Sequence, residues 1–219
     1  MPLMDSLRVA IALGPLATYL LVLGVVNLSS RPLLTTGGRD AAALAIAIAG
    51  LVLAGPMELF LVEEAAVLYG AWVWAIMLAA YALLVALVIL LLRPRLVVYN
   101  ITLEQLRPLL ADVVARLDAT SRWAGESLVM PQLGVQLHVE VAPLLKNVQL
   151  VSSGPQQSLF GWRQLETELS TALRRTRTTP NPLGVSLLSF GVMMAAAITY
   201  VLARDPGGVM QALNEMLRR

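Results

Sequence analysis

The chain has 219 residues, of which 58% are hydrophobic and 14% charged, with a formal net charge of +2 and a mean hydropathy of +0.73. Soluble domains carry about 25% charged residues, so this is not an ordinary soluble domain, and the apolar surplus excludes a disordered chain. With no cysteine and a single histidine, His138, disulfides, thiolate chemistry and multi-histidine metal sites are excluded, and the small net charge leaves no footprint for nucleic acid.

The surplus lies in long apolar runs. A helix needs about 20 mostly apolar residues to cross a bilayer core, and four segments reach that length, about 9–28, 41–61, 70–92 and within 181–204. The first is broken only by Pro15, Thr18 and Asn27. It outruns the roughly 7–15 apolar residues of a signal peptide and has no small-x-small site behind it, so it reads as a retained helix. Asn27-Leu-Ser-Ser-Arg-Pro32 then reads as a loop. In the third span Tyr69, Trp72 and Trp74 mark the headgroup level, which leaves Glu58, Glu63 and Glu64 in a polar turn outside the hydrocarbon.

Arginines set the orientation. Arg31 and Arg39 follow span one, Arg93 and Arg95 follow span three, and Arg174, Arg175 and Arg177 precede span four. With alternating helices these all fall on one side, expected to be the cytoplasm, which places both termini outside a plasma or inner membrane. Arg8, Arg204, Arg218 and Arg219 vote the other way.

Residues 93–180 read as a small soluble domain. Leu96–Tyr99 is a strand. Thr102-Leu-Glu-Gln105 is a capping box, with Gln105 reaching back to the Thr102 amide. Leu103, Leu106, Leu110, Val113, Val114 and Leu117 then line one helix face, with Pro108 a break or a kink. After Glu126–Met130 and the turn Pro131–Gly134, residues 135–141 alternate, with Val135, Leu137, Val139 and Val141 on one face and Gln136, His138 and Glu140 on the other. That is the period of a sheet with one wet face. Asn147–Ser152 is a further strand, and Trp162, Leu165, Leu169 and Leu173 stripe a last helix. The expected fold is therefore four transmembrane helices with an α+β two-layer domain (β-α-β-β-β-α) inserted between helices three and four. Its shape is similar to ferredoxin-like modules, a likeness of architecture that carries no function. Residues 205–219 read as a short amphipathic helix.

Few residues offer chemistry. Glu58 follows Gly55-Pro56, the kind of break that carries ion or proton sites in transporters. Gln136, His138 and Glu140 form a polar sheet face able to bind a partner or, through His138, to respond to pH. Arg174, Arg175 and Arg177 are placed to meet lipid headgroups. The sequons at Asn27 and Asn100 are short motifs on the cytoplasmic side. Small residues at spacings of three and four, Ala43, Ala47, Gly50 and Ala54 in span two and Gly191, Ala195 and Thr199 in span four, allow close helix packing. No cofactor or metal is expected. The leading expectation is a non-enzymatic scaffold, adaptor or subunit, with the bilayer and other membrane subunits or a second copy as partners. The next is a small transporter or ion-conducting protein using Glu58, and the last a membrane enzyme using His138.

Overall fold

The computed structural model describes residues 6–57, 72–142, 146–155, 157–204 and 206–211. In chain order the elements are α1 (Ser6–Leu28), β1 (Leu33–Thr36), α2 (Gly37–Val52) and a π-helical turn (Leu53–Met57), then α3 (Trp72–Leu91), β2 (Arg95–Tyr99) and α4 (Leu103–Leu117). The rest are β3 (Arg122–Ala124), β4 (Ser127–Met130), β5 (Val135–Ala142), β6 (Asn147–Ser152), α5 (Leu159–Arg174) and α6 (Leu183–Arg204). Two compact units contain them, a helical unit from 1–23, 41–91 and 186–219, and a sheet unit from 24–40 and 92–185.

α1, α2 with its π turn, α3 and α6 are each long and apolar enough to cross a membrane. α2 starts at Gly37 rather than near Ala41, because β1 hands the chain straight into it. Thr36 Oγ1 accepts from the Arg39 amide at 3.3 Å, an N-cap that satisfies one free donor of the first turn. α3 is described from Trp72. Glu58, Glu63, Glu64 and Tyr69 lie outside the described residues. Of the expected C-terminal helix, residues 206–211 are helical and the remainder lies outside the described residues.

Within the helical unit, α1 and α2 meet backbone to backbone. Pro15 has no N–H, so the Ile11 carbonyl four residues back loses its helical donor. Gly50 sits on that carbonyl so closely that a Cβ there would lie 1.9 Å from the Ile11 oxygen. Only a glycine leaves room for this approach, which suits a weak Cα–H···O contact. Ala12 and Ala17 of α1 and Ala47 of α2 are buried. α3 joins through the Tyr81 hydroxyl, which donates to the Ala45 carbonyl at 2.7 Å.

The sheet unit has six strands in the order β1-β2-β6-β5-β4-β3, every neighbouring pair antiparallel. It departs from the expectation by two strands. Arg122–Ala124 forms β3, a short edge paired to β4, and Leu33–Thr36, just past the stretch read as a loop, forms β1 against β2. With no parallel pair, the sheet lacks the split βαβ unit of a ferredoxin-like module. The two-layer packing does form. Leu96, Val98, Leu128, Met130, Leu137, Val139, Val148 and Leu150 face Leu106, Leu110, Val113 and Val114 of α4 and Trp162, Leu165, Leu169 and Leu173 of α5 in one core. Val135 joins the core, whereas Val141 is 39% exposed near the end of β5. α4 passes through Pro108 unbroken. The ring is on its solvent side, where water can take the carbonyl that proline leaves without a donor. The Thr102 amide donates to Gln105 Oε1 at 3.5 Å, the return half of the capping box.

Candidate functional site

The polar face of β5 is built by strand register. Ser127 of β4 pairs with His138, and its hydroxyl lies 3.1 Å from His138 Nδ1. Glu126 Oε2 lies 3.9 Å from His138 Nε2, with the two side chains 56% and 44% exposed. A serine, a histidine and a carboxylate are thus in line, but in solvent. A Ser-His-Asp hydrolase sets its base toward a serine from one nitrogen and buries the orienting carboxylate on the other, and this carboxylate is more than half exposed. Gln136 lies under the turn after β6, where a Cβ on Gly154 would meet its side chain. Glu140 is exposed opposite Gln149. The three predicted residues share one sheet face but converge on no common point.

A concavity lies on the opposite, α4 side of the sheet, lined by Leu106, Leu110, Trp123, Glu126 and Val139. Arg107 closes over it, its Cζ 5.9 Å from the Trp123 ring centroid, a cation–π distance.

Two polar clusters that the sequence reading missed tie the sheet to the segment after α1. In the first, Asp40 accepts from the Tyr99 hydroxyl at 2.5 Å and pairs with Arg95 Nη2 at 3.8 Å. Arg95 Nη1 reaches Gln149 Oε1 at 3.5 Å, and Arg39 pairs with Glu166 of α5 at 3.0 Å. In the second, Asn100 Nδ2 donates to the Ser29 carbonyl at 2.5 Å and to Thr178 Oγ1 at 3.3 Å. Asn181 Nδ2 donates to Asn27 Oδ1 at 3.3 Å, and the amides of Thr178 and Asn181 donate to the carbonyls of Ser30 and Asn27 at 2.9 and 2.8 Å. Asn27, Asn100, Thr178 and Asn181 are all buried, and these bonds satisfy most of the polar groups that burial removes from water. Asn100 supplies the turn by adopting φ 58°, a left-handed conformation that asparagine tolerates better than most residues.

Asp118 is a third buried polar group. Burial pushes its carboxyl upward. The Thr120 hydroxyl, at 2.6 Å, and the amides of Gln132, Thr120 and Leu133 outweigh that and hold it below its ordinary value of 3.8. The Gln132 amide bond, at 2.8 Å, latches the turn after α4 to the turn before β5. The Asp-x-Thr pattern of residues 118–120 is the sequence signal for such a turn.

Arg174, Arg175 and Arg177 are exposed at the end of α5 and just beyond it. Glu58 lies outside the described residues. Of the small residues, Gly50 packs against α1 and Gly191 against Leu21 of α1, and Ala47 is buried, so Gly50 and Gly191 serve contacts inside the chain. Among the described residues no group of three His, Asp or Glu is placed to hold a metal. Together the two units define a chain with four helices apolar enough for a bilayer and an antiparallel α+β unit. Compared with protein-family models, curated proteins and solved structures, the chain matches none.

Proposed function

We propose that the protein is an integral membrane subunit or adaptor in which four bilayer-crossing helices hold a small α+β module at the cytoplasmic face for contact with other subunits. The observation that carries this reading is β1. The connection between the first two apolar helices is itself a strand of the sheet that residues 92–185 build. The sheet unit is thus assembled from separate stretches of the chain, residues 24–40 and 92–185, and offers a folded surface for docking. The wet face of β5, with Gln136, His138 and Glu140, is the surface this reading offers to a partner. The cytoplasmic assignment draws on charge. Near the helix ends on this side lie Arg31, Arg39, Arg93, Arg95, Arg174, Arg175 and Arg177, against Arg8, Arg204, Arg218 and Arg219 on the other, and an excess of basic residues beside the spans is the bias expected of the cytoplasmic side.

Extraction in mild detergent followed by mass determination tests it. A particle heavier than one chain, or a stoichiometric co-purifying protein, is the expected result. A strictly monomeric particle with nothing bound contradicts it.

One observation favours a second reading, a small ion- or proton-conducting protein. The π turn at Leu53–Met57 places Gly55-Pro56 in irregular backbone, and such turns recur at functional sites. Glu58 follows directly. On this reading Glu58→Gln abolishes proton flux in reconstituted vesicles, and unchanged flux removes it.

A further inference from the structure

We infer that the sheet unit carries a binding site for the phosphate of an anionic phospholipid, formed by Arg31 and Arg177. These residues lie far apart in sequence and are brought side by side where α1 ends and α6 begins. The register of two backbone hydrogen bonds makes the site. Thr178 N donates to Ser30 O, and Asn181 N to Asn27 O, so the two segments are held together, with Arg31 and Arg177 each the chain neighbour of a residue in the Ser30–Thr178 bond. Both arginines are exposed, and neither has a carboxylate partner among the described residues. The contrast lies within the same unit, where Arg39 is paired with Glu166 and Arg95 with Asp40. Two unneutralised guanidinium groups repel each other, and an anion between them removes that repulsion. Planar guanidinium donors match phosphate oxygens in pairs.

Depth selects the source of the phosphate. Arg31 lies three residues past Leu28, the last of α1, and Arg177 six before Leu183, the first of α6. The two helix ends touch, since a Cβ on Gly184 would meet the Gly24 carbonyl and the side chains of Asn27 and Leu28. If α1 and α6 cross the bilayer, their adjoining ends place the arginine pair at headgroup level, where each basic residue adds about 1 kcal/mol of attraction to anionic lipid. Lys146 adds a third charge to the same strip, its Nζ held by the Thr179 carbonyl at 3.4 Å and hydroxyl at 3.2 Å. The inference rests on α1 and α6 being membrane spans and not on any protein partner.

The test uses the full chain in detergent micelles containing equal phosphatidylglycerol and phosphatidylcholine, with retained lipid counted by native mass spectrometry. The wild-type chain retains phosphatidylglycerol in preference. Arg31→Gln and Arg177→Gln each lower that preference about fivefold, and the double variant abolishes it. Lys at both positions restores part of it, while Arg163→Gln, on the exposed side of α5, leaves it unchanged. An unchanged preference in the double variant overturns the inference, as does an equal loss in Arg163→Gln, which would mean diffuse charge attraction. Displacement of the lipid by equimolar inorganic phosphate overturns the lipid assignment. Loss of a protein partner without loss of lipid preference would strike only the subunit reading.

Discussion

The two units are packed inside out with respect to each other. In the sheet unit the large apolar side chains are interior, Leu106, Leu137, Leu150, Leu165 and Leu169 all at 0% exposure. In the helical unit the interior is made of Ala12, Ala17, Ala47 and Val73, while Leu83 and Leu90 face outward at 72% and 81% exposure. A water-facing domain gains by hiding leucine. Helices in lipid gain nothing from that, and associate through small residues that let backbones approach. One chain thus follows two packing rules, and the second is the one expected of helices apolar enough to cross a membrane.

The strongest way to break the comparison is to delete the same side chain from both units. Leu165→Ala empties a sealed core and is expected to lower unfolding stability by about 2–5 kcal/mol. Leu90→Ala removes a lipid-facing side chain and is expected to stay within about 0.5 kcal/mol. Thermal unfolding in one detergent reads both, and equal losses would contradict the two-solvent account. Adding volume sharpens it from the other side. Gly50→Ala drives a methyl into the Ile11 carbonyl and should cost about 1–3 kcal/mol by forcing α1 and α2 apart. Gly14→Ala, with nothing within 4 Å of its Cβ, should be neutral or stabilising, since alanine is the better helix former.

Smaller effects belong to the polar groups of the sheet unit. Because the folded Asp118 carboxyl is depressed, its contribution is present above the unfolded value of about 3.9 and is lost as pH falls through the folded value. Asp118→Asn should therefore destabilise the unit at neutral pH and flatten the acid limb of its stability–pH curve. The same dependence in the variant would assign the acid limb to other groups. Glu126→Gln should change stability least, by about 0–1 kcal/mol, because an exposed ion pair with His138 is screened by water.

Legibility in the sequence followed the same division. The four apolar helices were readable because hydropathy summed over about 20 residues is a strong signal, and β5 because its alternation persists from Val135 to Val139. β1 was not readable. Leu33-Leu-Thr-Thr36 has no period of two, and its strand conformation is imposed by pairing with Leu96–Tyr99. β3 is only three residues long, yet it left one clue. Gly125-Glu126 is a two-residue loop with glycine first, at φ +65°, which is a hairpin signal. Of the predicted site residues, Gln136, His138 and Glu140 do share a face, but the serine beside His138 came from register that spacing alone does not reveal. The arginine pair depends on Asn27, Ser30, Thr178 and Asn181 meeting across more than 140 residues, and nothing local in either segment announces that.

The pairing of β1 with β2 carries the account, because it joins the first helical connection to the sheet unit. The chain has no cysteine, so a single introduced pair can report on it. Thr35 and Val97 are register partners, and directly opposed strand residues have Cα separations of about 4.5–5.5 Å, within reach of a disulfide. On mild oxidation in membranes, Thr35→Cys/Val97→Cys is expected to cross-link rapidly within one chain, and Thr35→Cys/Ala124→Cys, at opposite edges of the sheet, not at all. Failure of the first pair, or equal yield from both, would contradict the account.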